Sequence, residues 1–255
     1  LGVAAELAKE ARMGAEGTES TQREVRRIDL SDFETRKYEI AEQLWNAAVD
    51  IGFFQVTHHG IAQSDVDRAF ANAERLFALP DAVKAQWPLK RNAGWESKAQ
   101  VRPSTGTPDQ KESYQVTLPR MQGLWPSEAD LPGFEQEVKA FESQCWQLGM
   151  RLMSCFAYKL GFDQDFFSHA HNPASPGYQS TLRMLHYFGI DRAAIAPGTW
   201  RAGAHTDFDV LTLLFQKQGQ GGLQVLPGKD MDSGAWTSVE PDEGVEGGLV
   251  VGAPA

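Results

Sequence analysis

His205 and Asp207 are the residues of this chain whose types and spacing best suit metal chemistry. In an extended segment, residues two positions apart point to the same side, so an imidazole nitrogen and a carboxylate oxygen can bind one ion together. Such donors suit Fe(II), which is commonly held by two histidines and one carboxylate, with open positions for other ligands. The alternative interpretation is a polar pair at the end of a strand, in a solvated turn.

The helices that must position this pair are predicted from the spacing of apolar residues. That spacing indicates a helix over about 33–50, a second from Ser64 to just before Pro80, and a long one from Pro132 to Gly161. The first helix is expected to bury one face, formed by Tyr38, Ala41, Leu44, Trp45, Ala48 and Val49.

Short runs of branched and aromatic residues predict strands on both sides of the long helix. These runs are 26–30, 53–56, 112–118, 181–188, 210–215, 223–226 and 235–239. Residues 88–110 are rich in Pro, Gly, Ser and Thr and predict a long loop. Because the later strands follow one another without helices between them, the chain is expected to be α+β with an antiparallel double-sheet core.

The same pattern divides the chain into four segments. We expect a flexible lead-in over 1–24, an N-terminal region over 25–130, the long helix and its connection over 131–177, and a β-core over 178–255. A length of 255 residues allows one large domain or two small ones.

Charge and cysteine usage bound the partners and the compartment. A net charge of −10 argues against nucleic acid or an anionic membrane surface as a partner. No stretch approaches the roughly 18 consecutive apolar residues that a membrane span needs. Cys145 and Cys155 fall in one predicted helix, so a reducing, cytoplasmic location is expected rather than a disulfide framework. The oligomeric state stays open.

Several ordered motifs resemble those of the isopenicillin N synthase-like Fe(II)/2-oxoglutarate oxygenases. The stretch 203–214, which contains His205-Thr206-Asp207, is similar to the iron-site strand of that family. Further matches in the family's order are Gly52–Val56 with His59–Ile61, Asp109–Tyr114, Leu182–Tyr187 and Gly221–Val225. The resemblance covers about residues 25–241, and the chain is identified as a member of the family.

The resemblance implies a distorted jelly-roll core, with iron held in its mouth by His205 and Asp207. It implies Fe(II), 2-oxoglutarate and O₂ as cofactor and co-substrates, with ascorbate as a further candidate. Tyr187 is expected near the carboxylate of 2-oxoglutarate, to which its phenol would donate a hydrogen bond. Arg183 shares its strand face and would meet a carboxylate of substrate or co-substrate, or else face solvent.

The remaining histidines are weaker candidates for a third iron ligand. His58 and His59 are expected to be structural, and His169 and His171 to lie in a solvated loop. His186 is expected to point to the strand face opposite Tyr187.

The chain departs from the family after its iron-site strand. The family's second histidine lies roughly fifty to sixty residues beyond the first, and none of residues 208–255 is a histidine. The R-x-S pair that binds the far carboxylate of 2-oxoglutarate is also absent. We therefore expect a truncated core that diverges from the family near Val245, holds iron weakly with two ligands, and folds only partly because sheet edges are exposed.

These observations predict an oxidoreductase that is impaired in this form. With 2-oxoglutarate and O₂, it would hydroxylate, desaturate or cyclise a small organic substrate, while the keto acid is converted to succinate and CO₂. The alternative is a non-catalytic binding protein of the same fold. A cupin-like metalloenzyme of another kind would not explain the motifs at 52–56 and 59–61.

Overall fold

The computed structural model of the protein describes residues 3–16, 19–20, 23–101, 106–189, 201–207, 209–230, 233–241 and 248–253. The helices are α1 (Val3–Glu16), α2 (Phe33–Asp50), α3 (Gln63–Phe77), α4 (Asp81–Lys84), α5 (Phe134–Leu160) and α6 (Phe166–Ala170). The strands are β1 (Glu19–Ser20), β2 (Arg27–Asp29), β3 (Phe53–Thr57), β4 (Gly94–Ser97), β5 (Lys111–Val116), β6 (Leu182–Tyr187), β7 (Thr212–Leu214), β8 (Gln224–Val225), β9 (Ala235–Ser238) and β10 (Val250–Gly252). Short 3₁₀ turns cover Leu118–Arg120 and Gly228–Asp230.

The long helices follow the predicted apolar periods. Helix α2 has the predicted bounds, but its buried face is rotated relative to the expectation. The buried side chains of α2 are Phe33, Ile40, Ala41, Leu44, Ala47 and Ala48. Tyr38 and Val49 are more than half exposed, so their predicted burial is wrong. Tyr38 instead packs against Tyr158 of α5 in a tilted arrangement, with ring centroids 4.8 Å apart.

Helix α5 ends where the sequence predicts, because Gly161 has a φ of +75°, a conformation that favours glycine over other residues. The apolar face of α5 includes the fully buried side chains of Phe134, Leu148 and Leu152. A helix of 27 residues that is buried along its length supports the elements packed on it.

The chain forms two compact units that interleave along the sequence. The first contains 1–18, 72–135 and 173–206, and the second contains 19–71, 136–172 and 207–255. Each unit is described by itself below.

The first unit contains a three-stranded antiparallel sheet in the order β4-β5-β6. Glu96 pairs with Ser113, Gln115 with Arg183, and Lys111 with Tyr187. Because side chains alternate across a strand, these residues share one face of the sheet. We refer to Glu96, Lys111, Ser113, Gln115, Arg183 and Tyr187 as the polar face. Tyr114 lies on the opposite face, against Phe134.

The second unit contains two sheets. One has four strands in the order β2-β3-β10-β7, and the other has three strands in the order β1-β9-β8. Strand β10 lies between β3 and β7 and pairs antiparallel with both. Leu249, Val250 and Val251 are buried there. A late segment of the chain therefore lies in the middle of the larger sheet.

Two elements of the structure differ from the predicted elements. Residues 1–24 were expected to lack regular structure, yet Val3–Glu16 is a helix, which agrees with the high helix propensity of its alanines. The predicted loop over 88–110 contains β4, whose first residue, Gly94, has a φ of +107°.

Within the described part of the chain, no helix has the length and apolarity of a membrane span. The four sequence segments stay a prediction.

Candidate active site

His205 lies in the irregular segment 201–207 at the end of the first unit, not in a strand. Its side chain is exposed, and its Nδ1 lies 2.8 Å from the carbonyl oxygen of Gly203. A carbonyl oxygen only accepts hydrogen bonds, so Nδ1 carries the hydrogen and a neutral ring has its lone pair on Nε2. Metal-binding histidines are commonly oriented in this way, with the second nitrogen donating to a carbonyl.

Asp207 begins the second unit and is held by the first residue of β7. The hydroxyl of Thr212 donates to Oδ2 of Asp207 at 2.5 Å and lies 3.4 Å from Oδ2 of Asp209. A carboxylate with one oxygen bonded in this way is restrained in rotation, as is common for carboxylates that bind metals. The sequence analysis missed Thr212, although a threonine at the start of the strand after His-x-Asp is a visible signal.

The donor chemistry of these two residues fits Fe(II) as part of a ligand set. An imidazole and a carboxylate are two of the three ligands that the predicted site requires. Among the residues that the structure describes, no group of three His, Cys, Asp or Glu side chains could hold a metal ion. The boundary between the two units falls between Thr206 and Asp207, so each residue is placed only within its own unit.

Tyr187 and Arg183 lie on the polar face, in the register that the sequence predicts for a shared strand face. Tyr187 is 39% exposed. Partial burial raises the pKa of Tyr187 above its ordinary value; the Arg183 guanidinium opposes that shift, and Asp109 adds to it. The phenol therefore stays protonated at neutral pH and remains a hydrogen-bond donor.

Arg183 is bound to a carboxylate of its own sheet. Its Nη2 donates to Oε1 of Glu96 at 3.1 Å, and the arginine side chain is 33% exposed. The charge of Arg183 is thus paired within the polar face. The sequence analysis did not identify Glu96, because β4 was placed in a loop and cross-strand register cannot be read from one segment.

His186 points away from Tyr187, as the sequence predicts, and takes part in a buried charge cluster. Its Nδ1 lies 2.8 Å from Oε1 of Glu112, and its ring stacks on Phe77. Oε2 of Glu112 accepts hydrogen bonds from Lys84 Nζ at 2.8 Å and from Trp95 Nε1 at 2.7 Å. The side chains of Lys84 and Glu112 are almost completely buried, which indicates a structural role for this cluster.

His58 and His59 have contacts that agree with their predicted structural roles, whereas the predicted loop around His169 and His171 is wrong, because His169 lies in helix α6 and His171 directly follows it. His58 pairs with Asp29 at the surface. His59 is buried, and its Nδ1 accepts the backbone N–H of Ile61. His169, in α6, is largely exposed, and His171 follows that helix.

Two family profiles match this chain. The one described as "non-haem dioxygenase in morphine synthesis N-terminal" matches residues 25–129, and the one described as "2OG-Fe(II) oxygenase superfamily" matches residues 178–251. The second match extends past Val245 and ends at Val251, inside strand β10. The expected divergence from the family near Val245 is therefore wrong.

Curated relatives have matching descriptions. The "Proline hydroxylase buaE" of Petromyces alliaceus is 32% identical over 79% of this chain and 67% of the relative. A "2-oxoglutarate-dependent dioxygenase" of Didymella fabae is 34% identical over 81% of this chain and 66% of the relative. The chain thus spans about two thirds of the length of these relatives.

Solved structures of the same class share the fold. A full-length Neurospora crassa protein, solved in complex with alpha-KG, superposes with a TM-score of 0.77 at 28% identity, covering 93% of this chain and 76% of the Neurospora protein. Its complex with alpha-KG and thymine has a TM-score of 0.75. These likenesses confirm the predicted α+β fold with a jelly-roll core. Together with the matched profiles and relatives, they show that the chain belongs to the 2OG-Fe(II) oxygenase superfamily.

Proposed function

We propose that this chain provides an iron-binding segment of an Fe(II)- and 2-oxoglutarate-dependent dioxygenase, with His205 and Asp207 as two iron ligands. The observation that carries the proposal is the hydrogen bond from His205 Nδ1 to the Gly203 carbonyl, which directs the lone pair to Nε2. The restraint of Asp207 by Thr212 supports it. The one-residue spacing of the two ligands allows both to reach one ion.

Tyr187 is the proposed partner of the co-substrate carboxylate. A tyrosine phenol is protonated at neutral pH, and the raised pKa of Tyr187 is consistent with that state; its O–H is the donor that an anion requires. Arg183, on the same face, is the positively charged neighbour predicted to meet a carboxylate of co-substrate or substrate, but its ion pair with Glu96 favours a neutral polar group of the substrate at this position. Bound iron, with 2-oxoglutarate and O₂, would supply the oxidising chemistry that hydroxylates, desaturates or cyclises the substrate.

The substrate is proposed to be a small organic molecule. Complexes of the Neurospora crassa protein with thymine and with 5-formyluracil support this class, since that protein is 28% identical to the chain.

The ordered motifs from Gly52 to Val225 favour the isopenicillin N synthase-like subgroup. The net charge of −10 supports the absence of nucleic-acid or anionic membrane partners. The unpaired thiols of Cys145 and Cys155 support a cytoplasmic location.

Metal titration tests the iron ligands independently of turnover. Under anaerobic conditions, binding of Fe(II) or Co(II) by the wild type should be weakened by about tenfold or more in His205→Ala and in Asp207→Ala. His169→Ala, which changes an exposed histidine elsewhere, should bind metal as the wild type does. Equal affinity in all four proteins would refute the assignment.

Co-substrate turnover tests the reaction. O₂ uptake and succinate formation should depend on both Fe(II) and 2-oxoglutarate, and should fall in Tyr187→Phe through a higher KM for 2-oxoglutarate. A well-folded chain that binds metal but produces no succinate would favour the alternative of a non-catalytic binding protein.

A further inference from the structure

The polar face of the β4-β5-β6 sheet is buried at its centre, which is unusual for side chains of this kind. Lys111, Ser113 and Gln115 are each no more than 6% exposed. Buried polar groups destabilise a fold unless they are hydrogen-bonded. Polar residues at the centre of a sheet face therefore indicate a role other than packing. The opposite face of β5 carries the apolar contact between Tyr114 and Phe134 and the buried Glu112, whose charge is paired with Lys84.

Three side chains converge on one oxygen of Glu96. Oε1 accepts hydrogen bonds from Ser113 Oγ at 2.9 Å, Arg183 Nη2 at 3.1 Å and Gln115 Nε2 at 3.4 Å. These bonds fix the carboxylate and the guanidinium side by side, each in one orientation. The network therefore holds both groups in position before a ligand arrives.

The other atoms of the network are available to a ligand. Within the described part of the chain, Oε2 of Glu96, Nη1 of Arg183 and Oε1 of Gln115 take no hydrogen-bond partner. Gln115 as a whole residue is only 6% exposed. Acceptors and a donor are thus presented next to each other on one surface.

We propose that Glu96, Arg183 and Gln115 form a substrate-recognition site for a neutral amide whose N–H and C=O lie on the same side, as in a lactam or a cyclic imide. The N–H would donate to Oε2 of Glu96, and the C=O would accept from Arg183. This site deepens the proposed function, because it names the substrate class of the same oxygenase.

The charge balance around Glu96 and Arg183 favours a neutral ligand over an anion at this end of the face. Glu96 neutralises Arg183, and Asp109 neutralises Lys111 at 3.0 Å. An anion would therefore meet no net positive charge, while an amide satisfies both partners and loses less hydration than an ion on burial. Arg183 and Tyr187 are four residues apart on β6, about 13 Å along the strand, which leaves room for substrate and co-substrate in succession.

The experiment uses ligand-detected NMR on the full 255-residue chain without O₂, so that no turnover occurs. The probes are succinimide, N-methylsuccinimide, which lacks the N–H, and L-alanine, a zwitterion that could also bridge Glu96 and Arg183. The wild type should bind succinimide, while N-methylsuccinimide should bind about tenfold or more weakly because one charged acceptor loses its donor.

The variants assign this binding to the network. Glu96→Gln and Arg183→Met should each weaken succinimide binding by about tenfold to a hundredfold. The double variant Glu96→Gln/Arg183→Met removes both charges together and serves if a single unpaired charge prevents folding. Arg68→Met removes an ion-paired arginine at an exposed position of α3 and should bind succinimide as the wild type does.

Three results would overturn the site: no succinimide binding by the wild type, equal binding of both imides, or unchanged binding in a folded double variant. Tighter binding of L-alanine than of succinimide would overturn the substrate class. Because the readout is binding without O₂, it separates this site from the proposed reaction. Loss of succinate formation together with intact, Glu96-dependent binding would refute the reaction and leave the site standing.

Discussion

The hydroxyl of Thr212 donates a hydrogen bond of 2.5 Å to Oδ2 of Asp207 and thereby restrains the carboxylate proposed to bind iron. The hydroxyl stands at the start of β7, which pairs with β10. The orientation of Asp207 therefore depends on the sheet of the second unit.

Thr212→Val is expected to weaken metal binding about tenfold or more, because the isosteric side chain cannot donate to Asp207. Thr212→Ser retains the hydroxyl and is the matched control, with an expected change of less than about threefold. Co(II) titration followed by absorption measures both affinities. If valine and serine variants bind Co(II) equally well, the hydroxyl does not position the ligand.

Glu112→Gln is expected to lower the free energy of unfolding by about 3 kcal/mol, since it leaves the buried Lys84 ammonium with only the exposed carboxylate of Asp81 as a charged partner. The control is Glu39→Gln, which removes an exposed, solvent-screened carboxylate paired with Arg36 and should change stability far less. Urea unfolding at about pH 7 gives both values. Similar losses in the two variants would contradict the structural role of the buried cluster.

Alkaline pH is expected to destabilise the protein through Tyr114. Burial raises the pKa of Tyr114 above its ordinary value, and the charge of Glu135 adds to the shift. Below about pH 10 the phenol is neutral in both states and its contribution is complete. As pH rises beyond about 10, the unfolded chain releases this proton while the folded chain retains it, so stability falls.

Tyr114→Phe tests this linkage. The variant loses the bond from the phenol to the Leu124 carbonyl and about 1 kcal/mol of stability at neutral pH. Its stability should then decline less steeply than that of the wild type between about pH 10 and about pH 11. Parallel pH profiles of the two proteins, measured by urea unfolding, would show that Tyr114 does not contribute to the decline.

Gly94→Ala is expected to destabilise the fold more than Gly123→Ala. Both glycines have positive φ, +107° and +74°, and alanine in such a conformation costs about 1–2 kcal/mol. Only at Gly94 would the added Cβ also lie 2.6 Å from a backbone oxygen, that of Pro88, so crowding adds about 1–3 kcal/mol. Thermal unfolding of the two variants measures the difference. Equal losses would mean that the β4 turn can relax around the methyl group.

Much of the helical framework could be predicted from local signals alone. Helix α2 has its predicted bounds, and α5 ends at Gly161 as expected. The side of α2 that is buried was not predictable in full, because Tyr38 is apolar enough to fit the period yet packs on Tyr158 at the surface. Strand β4 was missed because its flanks have the composition of a loop.

The residues of the candidate site were predictable only where they lie together in one short sequence motif. The His205-x-Asp207 spacing and the shared face of Arg183 and Tyr187 can be read from one segment each. The contacts of Arg183 with Glu96 depend on which strands are neighbours and in which register. Strand order and register depend on contacts between segments that are distant in the chain, and they cannot be predicted from the pattern of one segment.

The position of β10 has a kinetic consequence. Val250 pairs with Gln55 across about two hundred residues of chain, and contacts of such sequence separation are slow to form because a very large loop must close first. During synthesis, β3 cannot form its pairing with β10 until β10 has left the ribosome. Chaperone dependence and aggregation of nascent chains should therefore concentrate in this interval, with the exposed edge of β3 as the vulnerable surface.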